Sequence, residues 1–305
     1  MNQESCLMKH LLSVLTLCLV LISCTKRVTL DKLSNEGTEE LPLLYYKSKL
    51  YTGIAIVVDS EGNLLMEKHV KDGMNHGLYQ EWRYNSEQLK KEENFLNGKR
   101  DGISREWWDN GQLLAERNYS EGKLIGLSRK WHKNGQLWFE GNCKDGYVDG
   151  LSRIWYENGQ LNREAYIKNE KRHGKFRQWY DNGQLKKEEY YSDGKLNGIS
   201  REWWEHGQLW RERTFKEDEL NGIVQSWYKN GKRESIERYT AGVLDGEAKS
   251  WYKNGQRRSV EFYKDGKLDG GQKYWTTMNR YISEYWEDGK KSSWSEWYSK
   301  HFRPD

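Results

Sequence analysis

From about residue 41 onward, the chain alternates short runs rich in Trp, Tyr and Arg with turn dipeptides such as Asn-Gly and Asp-Gly. The runs are six or seven residues long, which is too short for helices but is the usual length of a β-strand. Side chains alternate between the two faces of a strand, so Trp203 and Trp204 should face opposite ways. Asn-Gly is a favoured loop of two-residue hairpins. The pattern therefore predicts a succession of antiparallel β-hairpins.

The hairpins recur with a fixed period. A glycine returns every 24 residues, with one step of 25, and a Trp follows five residues after nine of the ten glycines. A constant period of this length indicates a repeat architecture, in which each unit buries its apolar surface only against its neighbours. The residues that we expect to define the repeat are Gly102, Trp107, Gly126, Trp131, Gly150, Trp155, Gly174, Trp179, Gly198, Trp203, Gly222, Trp227, Gly246 and Trp251.

The register of each hairpin follows if the Asn-Gly loop has two residues in a type I′ turn. Trp203 should then face Trp210. The same register places an Arg opposite a Glu in five consecutive repeats, and each such cross-strand pair contributes roughly 0.2–1 kcal/mol. The predicted pairs are Arg105 with Glu116, Arg129 with Glu140, Arg153 with Glu164, Arg177 with Glu188 and Arg201 with Glu212.

These patterns predict an all-β fold: an elongated, single-layer antiparallel meander of tandem β-hairpin repeats with a 24-residue period. The array should span residues 41–305 and hold about ten repeats and a terminal half-repeat. The second turn of each unit is also short, so neighbouring units should pair directly. The first strand, Gly53 to Val58, is aliphatic, as expected of an atypical end repeat.

The first part of the chain has the features of an export signal. A basic start precedes fourteen mostly apolar residues, too few to span a bilayer. The run ends in Leu-Ile-Ser-Cys, which resembles the lipobox of bacterial lipoproteins and implies acylation of Cys24; the alternative is ordinary cleavage beside an incidental Cys. We expect a lipoprotein signal peptide at 1–23, a flexible polar tether at 24–40, and a lipid-anchored protein of the bacterial cell envelope, at the outer membrane in a Gram-negative cell.

Composition narrows the functions further. Only 35% of residues are hydrophobic, yet the chain has 16 Trp and 20 Tyr, so its buried surface should come from aromatic rings. The 50 basic and 46 acidic side chains nearly cancel, which gives no case for a nucleic-acid partner. After removal of the signal and acylation of Cys24, one Cys remains, Cys143, so no internal disulfide is expected.

No motif for catalysis or metal binding is present. The seven His are scattered, none lies in a HExxH motif, and the Cys lack metal spacing. Tandem units supply the same residues repeatedly, whereas an active site needs different residues to converge. The position directly before the phased glycine often holds Asp, as at Asp149 and Asp245. Because Ile125 occupies this position in one repeat, we favour a role in the turn over a cation site. We therefore expect a non-enzymatic protein without metal or cofactor.

The remaining candidate for function is the surface. The phased Trp can be structural, as the largest source of buried area in a thin sheet, or can join a ladder of aromatic rings on an open face. Such a face suits a protein partner, since aromatic residues and Arg are enriched at interfaces, and it also suits sugar rings. The candidate binding residues are the aromatics that follow the phased Trp: Trp108, Tyr156, Tyr180, Trp204, Tyr228 and Tyr252.

Segments such as GISREWWEHGQLWRERTF and GLSRIWYENGQLNREAYI resemble the MORN repeat, specifically its bacterial variant. The resemblance runs from about Tyr45 to Tyr298. It implies a single-layer ribbon of hairpins, and similarity to YwqK-like antitoxins implies a protein that binds another protein as an antitoxin or immunity factor. We therefore expect an envelope-anchored scaffold for a protein partner, with glycan binding through the aromatic ladder as the alternative and a spacer without specific ligand as a third interpretation.

Overall fold

The computed structural model describes residues 26–37, 42–84, 86–278 and 280–293. Cys24, the signal segment 1–23 and the last residues of the terminal half-repeat lie outside these ranges. The described residues form β-strands and a single 3-10 turn, Leu30–Lys32. Among them, no helix has the length and apolar character needed to cross a membrane.

The chain divides into two compact units. The N-terminal unit comprises residues up to 136 together with 143–147, and the C-terminal unit comprises 137–142 and 148 onward. The strands that lie within the N-terminal unit are β1 (Arg27–Thr29), β2 (Ser34–Gly37), β3 (Pro42–Tyr46), β4 (Lys49–Leu50), β5 (Gly53–Val58), β6 (Leu64–Lys71), β7 (Met74–Trp82), β8 (Leu89–Leu96), β9 (Lys99–Arg100), β10 (Gly102–Trp107), β11 (Leu113–Ser120) and β12 (Lys123–Trp131).

The strand β13 (Leu137–Lys144) and the first residue of β14 (Tyr147–Trp155) are divided between the units. The other strands of the C-terminal unit are β15 (Leu161–Lys168), β16 (Lys171–Trp179), β17 (Leu185–Ser192), β18 (Lys195–Leu196), β19 (Gly198–Trp203), β20 (Leu209–Lys216), β21 (Glu219–Trp227), β22 (Arg233–Thr240), β23 (Val243–Leu244), β24 (Gly246–Trp251), β25 (Arg257–Lys264), β26 (Lys267–Leu268), β27 (Gly270–Trp275), β28 (Tyr281–Glu287) and β29 (Lys290–Ser292).

In each unit, successive strands of the array pair antiparallel in chain order. In some repeats a break before the phased glycine divides a strand into two segments, such as β18 and β19, which both pair with β17. The strands β2, β3 and β4 form a small separate sheet. The predicted fold class, an all-β antiparallel meander of tandem hairpin repeats, is confirmed.

The Asn-Gly loops differ from the predicted two-residue type I′ turn. In one repeat, the Tyr180 amide donates to the Gln184 carbonyl at 2.8 Å and the Gly183 amide donates to the Tyr180 carbonyl at 3.0 Å. Gly183 has φ +83°, whereas Asn182 has no positive φ. The loop therefore has three residues and ends in a left-handed glycine. Asn182 is held by its own side chain, because its Oδ1 accepts the Gln184 amide at 2.9 Å.

Type I′ geometry instead occurs at the second turn of the repeat. Asp193 has φ +49° and Gly194 has φ +89°, so both central residues are left-handed, as a type I′ turn requires. The Gly194 amide donates to the Arg172 carbonyl of the preceding repeat at 2.8 Å. This second turn therefore joins two adjacent strands and also bonds one repeat to the one before it.

A β-bulge reconciles the longer loop with the predicted strand register. Trp203 pairs with Leu209, so the prediction that it faces Trp210 is wrong. The register shifts between Glu202 and Trp203, and beyond that bulge Arg201 pairs with Glu212 as predicted. The additional loop residue shifts the strand register by one position, and the bulge shifts it back.

Four of the five predicted Arg–Glu pairs are confirmed. The Nε–Oε2 distances are 2.8 Å for Arg105–Glu116, 2.9 Å for Arg153–Glu164, 2.9 Å for Arg177–Glu188 and 2.6 Å for Arg201–Glu212. The pairing of Arg129 with Glu140 stays a prediction.

The two faces of the sheet differ in burial. On one face, small side chains such as Ser200 and Ala248 are buried in the middle of the strands. The phased glycines lie on the same face and oppose aromatic residues on the adjacent strand, as Gly198 opposes Phe215 and Gly222 opposes Tyr239. A glycine is required there because the backbone has positive φ, +124° at Gly222. Large rings and small residues together give a thin sheet a packed face.

The N-terminal end of the array differs from the tether expected over residues 24–40. Residues 27–37 form β1, the 3-10 turn and β2, and β1 pairs in parallel with β5. Val28 is buried with Tyr51, Ala55 and Val70. The Tyr51 hydroxyl donates to the Lys26 carbonyl at 2.7 Å. The reason is the open edge of the aliphatic strand β5, which a few apolar residues in the otherwise polar segment cover.

The phased glycine should be more sensitive to substitution than the turn glycine. A Cβ at Gly222 would lie 3.2 Å from the Thr214 Cβ on a backbone at φ +124°, whereas a Cβ at Gly242 would meet nothing within 4 Å at φ +78°. We expect Gly222→Ala to lower the free energy of unfolding by about 2–3 kcal/mol and Gly242→Ala by about 1 kcal/mol. Urea denaturation followed by far-UV circular dichroism measures both. Equal losses would show that the phased glycine carries no special constraint.

Candidate binding surfaces

The aromatic residues predicted to form a binding ladder lie at the first position of the Asn-Gly loops and are half-buried. In four repeats, the Tyr hydroxyl donates to the backbone carbonyl of the phased Trp in the next repeat. The distance is 2.8 Å in each case: Tyr156 to Trp179, Tyr180 to Trp203, Tyr228 to Trp251 and Tyr252 to Trp275. These side chains therefore connect repeats, and their polar ends do not face an external ligand.

The two Trp of the ladder behave differently. Trp108 Nε1 donates to the Trp131 carbonyl at 3.1 Å and so makes the same connection. Trp204 Nε1 is buried without a hydrogen-bond partner among the described residues. Its ring packs against Trp210 with centroids 5.1 Å apart, and Lys229 Nζ lies 4.9 Å from the ring centroid. Trp204 thus joins neighbouring repeats through ring contacts.

Burial raises the pKa of Tyr156, Tyr180 and Tyr228 above the ordinary value for tyrosine, so these hydroxyls remain donors at least as far into the alkaline range as a free tyrosine does. On the opposite side of the repeat, burial and a hydrogen bond to Glu237 raise the pKa of Tyr239 to about 12.

The Asn of the loop makes a second connection between repeats. Nδ2 of Asn182 donates to the Glu205 carbonyl at 3.1 Å, and Nδ2 of Asn230 donates to the Lys253 carbonyl at 3.0 Å. His206, which replaces Asn in one repeat, places Nε2 3.0 Å from the Lys229 carbonyl. The loops of successive repeats are therefore held in fixed positions along one edge of the sheet.

The face that carries the phased Trp also carries the Arg–Glu pairs, since Arg201 and Trp203 are two residues apart on one strand. In the C-terminal unit these pairs extend across repeats. Arg177 Nη1 lies 3.9 Å from Glu164, and Arg201 Nη1 lies 3.9 Å from Glu188. We call the continuous alternating row the charge row: Arg153, Glu164, Arg177, Glu188, Arg201 and Glu212.

The electrostatics of the charge row favour the ionised carboxylate. Burial raises the pKa of Glu188, but hydrogen bonds and positive charge from Arg177 and Lys175 outweigh burial and leave the pKa below its ordinary value. Lys175 Nζ lies 3.5 Å from Glu188 Oε2. The carboxylate is thus held as an anion by cations of its own surface.

Exposed apolar residues, separated by polar residues such as Thr214 and Arg238, form a row beside the charge row on the same face. Ile199 is two residues before Arg201 and Ile223 is two residues before Gln225, which pairs with Glu212. Their exposed fractions are 37% and 42%, and Tyr166 and Phe262 in the same row are 45% and 38% exposed. We call the charge row and this apolar row together the open face. Unlike the loop aromatics, the side chains of the apolar row are available to a partner.

The apolar row was not predicted, although the sequence carries a signal for it. The residue directly after the phased glycine is aliphatic in seven of the ten repeats: Ile54, Leu78, Ile103, Leu127, Leu151, Ile199 and Ile223. Strand alternation alone does not show which face is covered, so this aliphatic position could equally have been assigned to the core.

No group of three or more His, Cys, Asp or Glu in the described part of the chain is arranged to hold a metal ion. Cys143 is buried, and burial raises the pKa of its thiol. At the position before the phased glycine, the Asp245 backbone amide donates to the Arg238 carbonyl at 2.8 Å, as expected of a turn residue.

The hydrogen bond of the loop tyrosine should contribute to stability. Tyr180→Phe removes the hydroxyl that bonds the Trp203 carbonyl and keeps the ring, so we expect a loss of about 1 kcal/mol in the free energy of unfolding. Tyr166→Phe is the matched control, because Tyr166 is exposed, and its effect should stay within about 0.5 kcal/mol. Chemical denaturation measures both variants. A Tyr180→Phe variant as stable as wild type would leave the ladder free for another role.

The charge row should make stability depend on pH. A carboxylate whose pKa is lowered by folding contributes stability above its unfolded-state pKa and loses that contribution as the pH falls through its folded-state pKa. We therefore expect Glu188→Gln to be less stable than wild type at pH 7 and the difference to shrink on acidification. Denaturation of both proteins over a pH series measures this. A difference that is constant with pH would contradict the lowered pKa.

Comparison with known proteins agrees with the repeat geometry. Six segments match the model described as MORN repeat variant: residues 100–121, 148–169, 172–193, 196–217, 220–241 and 244–265. No curated protein matches the sequence. Among solved structures, a chain of the structure titled "Crystal Structure of TcdB2-TccC3-Cdc42" aligns with 85% of this chain and 17% of its own length, at 12% identity and a TM-score of 0.18, too low to carry an argument. These six segments of the array are therefore similar to MORN repeat variants.

Proposed function

We propose that this chain is a non-enzymatic repeat scaffold of the bacterial cell envelope, anchored through Cys24, that binds another protein on the open face. The observation that carries the proposal is the pair Ile199 and Ile223, which are 37% and 42% exposed beside ion pairs that are already satisfied. Exposed aliphatic residues at the same position of successive repeats bring apolar surface together, and such patches often mark interaction sites. A partner that covers these residues removes apolar surface from water, which is favourable.

The charge row supports this assignment. Because Arg177 and Arg201 are each paired with Glu on their own sheet, a partner that covers them does not have to supply a carboxylate for each guanidinium. Aromatic residues and Arg are enriched in protein interfaces, and this face carries both. An antitoxin or immunity role, which the family resemblance implies, is one form of this activity: the scaffold would occlude the surface of a toxin.

The test is affinity capture from detergent-solubilised envelope with the full-length chain and two variants. Ile199→Asp combined with Ile223→Asp places charge in the apolar row and should abolish capture of a specific partner. The control Lys168→Asp combined with Lys216→Asp changes two exposed positions at the second turns and should retain capture. Capture that survives the Ile substitutions, or is lost equally in both variants, would contradict binding on the open face.

The anchor has a separate test. Cys24→Ala should move the protein from the membrane fraction to the soluble fraction, because a chain without the acylated Cys loses its attachment. Retention of the variant in the membrane fraction would contradict lipid anchoring.

One cleft of the C-terminal unit favours a second function, the binding of a cell-wall or surface glycan. The cleft has a volume of about 230 Å³ and combines the rings of Tyr180, Trp203 and Trp210 with the polar groups of Lys186 and Glu202. Sugar rings stack on aromatic faces, and their hydroxyls bond polar groups at the rim. Sedimentation with purified cell wall that is lost in Trp210→Ala would support this function, and absence of sedimentation would exclude it.

A further inference from the structure

The Asn-Gly loops of the C-terminal unit change the sign of their charge at one point. The exposed residue that follows the loop aromatic is Glu157, Asp181 and Glu205 in three successive repeats. In the next two repeats it is Lys229 and Lys253, which are also exposed. The loop edge therefore has an acidic stretch followed directly by a basic stretch.

The basic stretch contains a second departure from the repeat. In the preceding repeats, the residue that pairs with the phased Trp is Leu, such as Leu185 opposite Trp179 and Leu209 opposite Trp203. In the two basic repeats this residue is Arg: Arg233 opposite Trp227 and Arg257 opposite Trp251. Leu at this position is half-buried, whereas both Arg are exposed. A requirement for packing alone would favour Leu in these repeats too, so the change indicates a role for the charge.

With Arg258, these residues form a patch that we call the basic edge: Lys229, Arg233, Lys253, Arg257 and Arg258. Elsewhere in the C-terminal unit, cations such as Arg201 and Lys249 have a carboxylate partner within 4 Å. In the described part of the chain, no ion pair joins a residue of the basic edge to a carboxylate. One carboxylate, Glu234, lies at the edge of this patch, at the position that Arg258 occupies one repeat later, so the five cations keep an excess of positive charge.

The basic edge is held in place before any ligand arrives. Asn230 Nδ2 and Tyr228 Oη both donate to carbonyls of the following repeat, at 3.0 and 2.8 Å. The guanidinium of Arg233 lies 5.8 Å from the Trp251 ring centroid, and that of Arg257 lies 5.6 Å from the Trp275 centroid. Cations fixed over aromatic rings lose less conformational freedom when they bind an anion.

The geometry limits which anion fits. The basic stretch covers two adjacent loops and is bounded by the acidic loop at Glu205, which would repel a long uniform polyanion such as nucleic acid or an anionic membrane. Each repeat has two strands about 4.8 Å apart, so equivalent loops lie roughly 10 Å apart. A peptide in the extended polyproline II conformation advances about 3.1 Å per residue with three residues per turn, so every third side chain lies on the same side and matches this spacing.

We propose that the basic edge binds an acidic segment of a protein partner in extended conformation, with carboxylates at about every third residue. The inference rests on the proposed function, because it assigns a chemistry to part of the partner that the scaffold holds. The open face would supply apolar contact and the basic edge would set the orientation and speed of association.

The test measures fluorescence anisotropy of a labelled peptide of Ser and Gly with Glu at every third position, mixed with the full-length chain at low ionic strength. Arg233→Leu combined with Arg257→Leu restores the residue of the other repeats, so the variant should fold, and we expect it to bind the peptide about tenfold more weakly. The control Lys168→Ala combined with Lys216→Ala removes the same charge from the opposite edge and should change affinity less than about twofold.

Three results would overturn the proposal. Equal weakening in the control would show a general charge effect, and equal affinity for a peptide with its Glu residues clustered would exclude the spacing. Tighter binding of a single-stranded oligonucleotide or of anionic vesicles, lost in the Arg variant, would assign the edge to another class of ligand. If capture from the envelope depends on Ile199 and Ile223 while the peptide binds no better than the clustered control, the proposed function stands and this inference fails.

Discussion

The structure depends on hydrogen bonds that side chains make to the backbone of the next repeat. A one-layer sheet with few aliphatic residues has little apolar surface to bury, so each hairpin would be marginal alone. The Tyr180 hydroxyl on the Trp203 carbonyl and the Asn182 amide on the Glu205 carbonyl tie one repeat to its neighbour along one edge. The Gly194 amide on the Arg172 carbonyl does the same along the other edge. Stability is therefore shared between neighbours, as in other repeat proteins.

This arrangement separates the roles of the two faces. Small residues and phased glycines allow large rings to pack on one face, while the paired Arg and Glu lie on the other face with the phased Trp and the apolar row. The open face can then carry Ile199 and Ile223 without weakening the fold, because the hydrogen bonds at the edges hold the strands in register. The same bonds fix the positions of the loops that carry Lys229 and Lys253. Both proposed binding surfaces thus follow from the way in which repeats are joined.

Much of the fold could be predicted because the period repeats the same evidence many times. The pairing of Arg201 with Glu212 follows from the sequence even though the loop type was wrong, since the bulge at Trp203 cancels the additional loop residue. The strands within the expected tether could not be predicted, because Val28, Leu30 and Leu33 are isolated apolar residues in a polar segment and nothing in the sequence shows that β5 leaves an edge to cover. The role of Tyr180 could not be predicted either, because a pattern places the ring but not the direction of its hydroxyl.

The most direct test of this account changes the length of the array in and out of phase. Deletion of residues 180–203 removes one 24-residue period and joins Trp179 to Trp204, so every connection between repeats can form again. Deletion of residues 180–202 shifts the following repeats by one position. Urea denaturation should show a cooperative transition with a modest loss of stability for the first variant and a large loss for the second. Equal stability of the two variants would contradict the claim that bonds between repeats in phase hold this fold together.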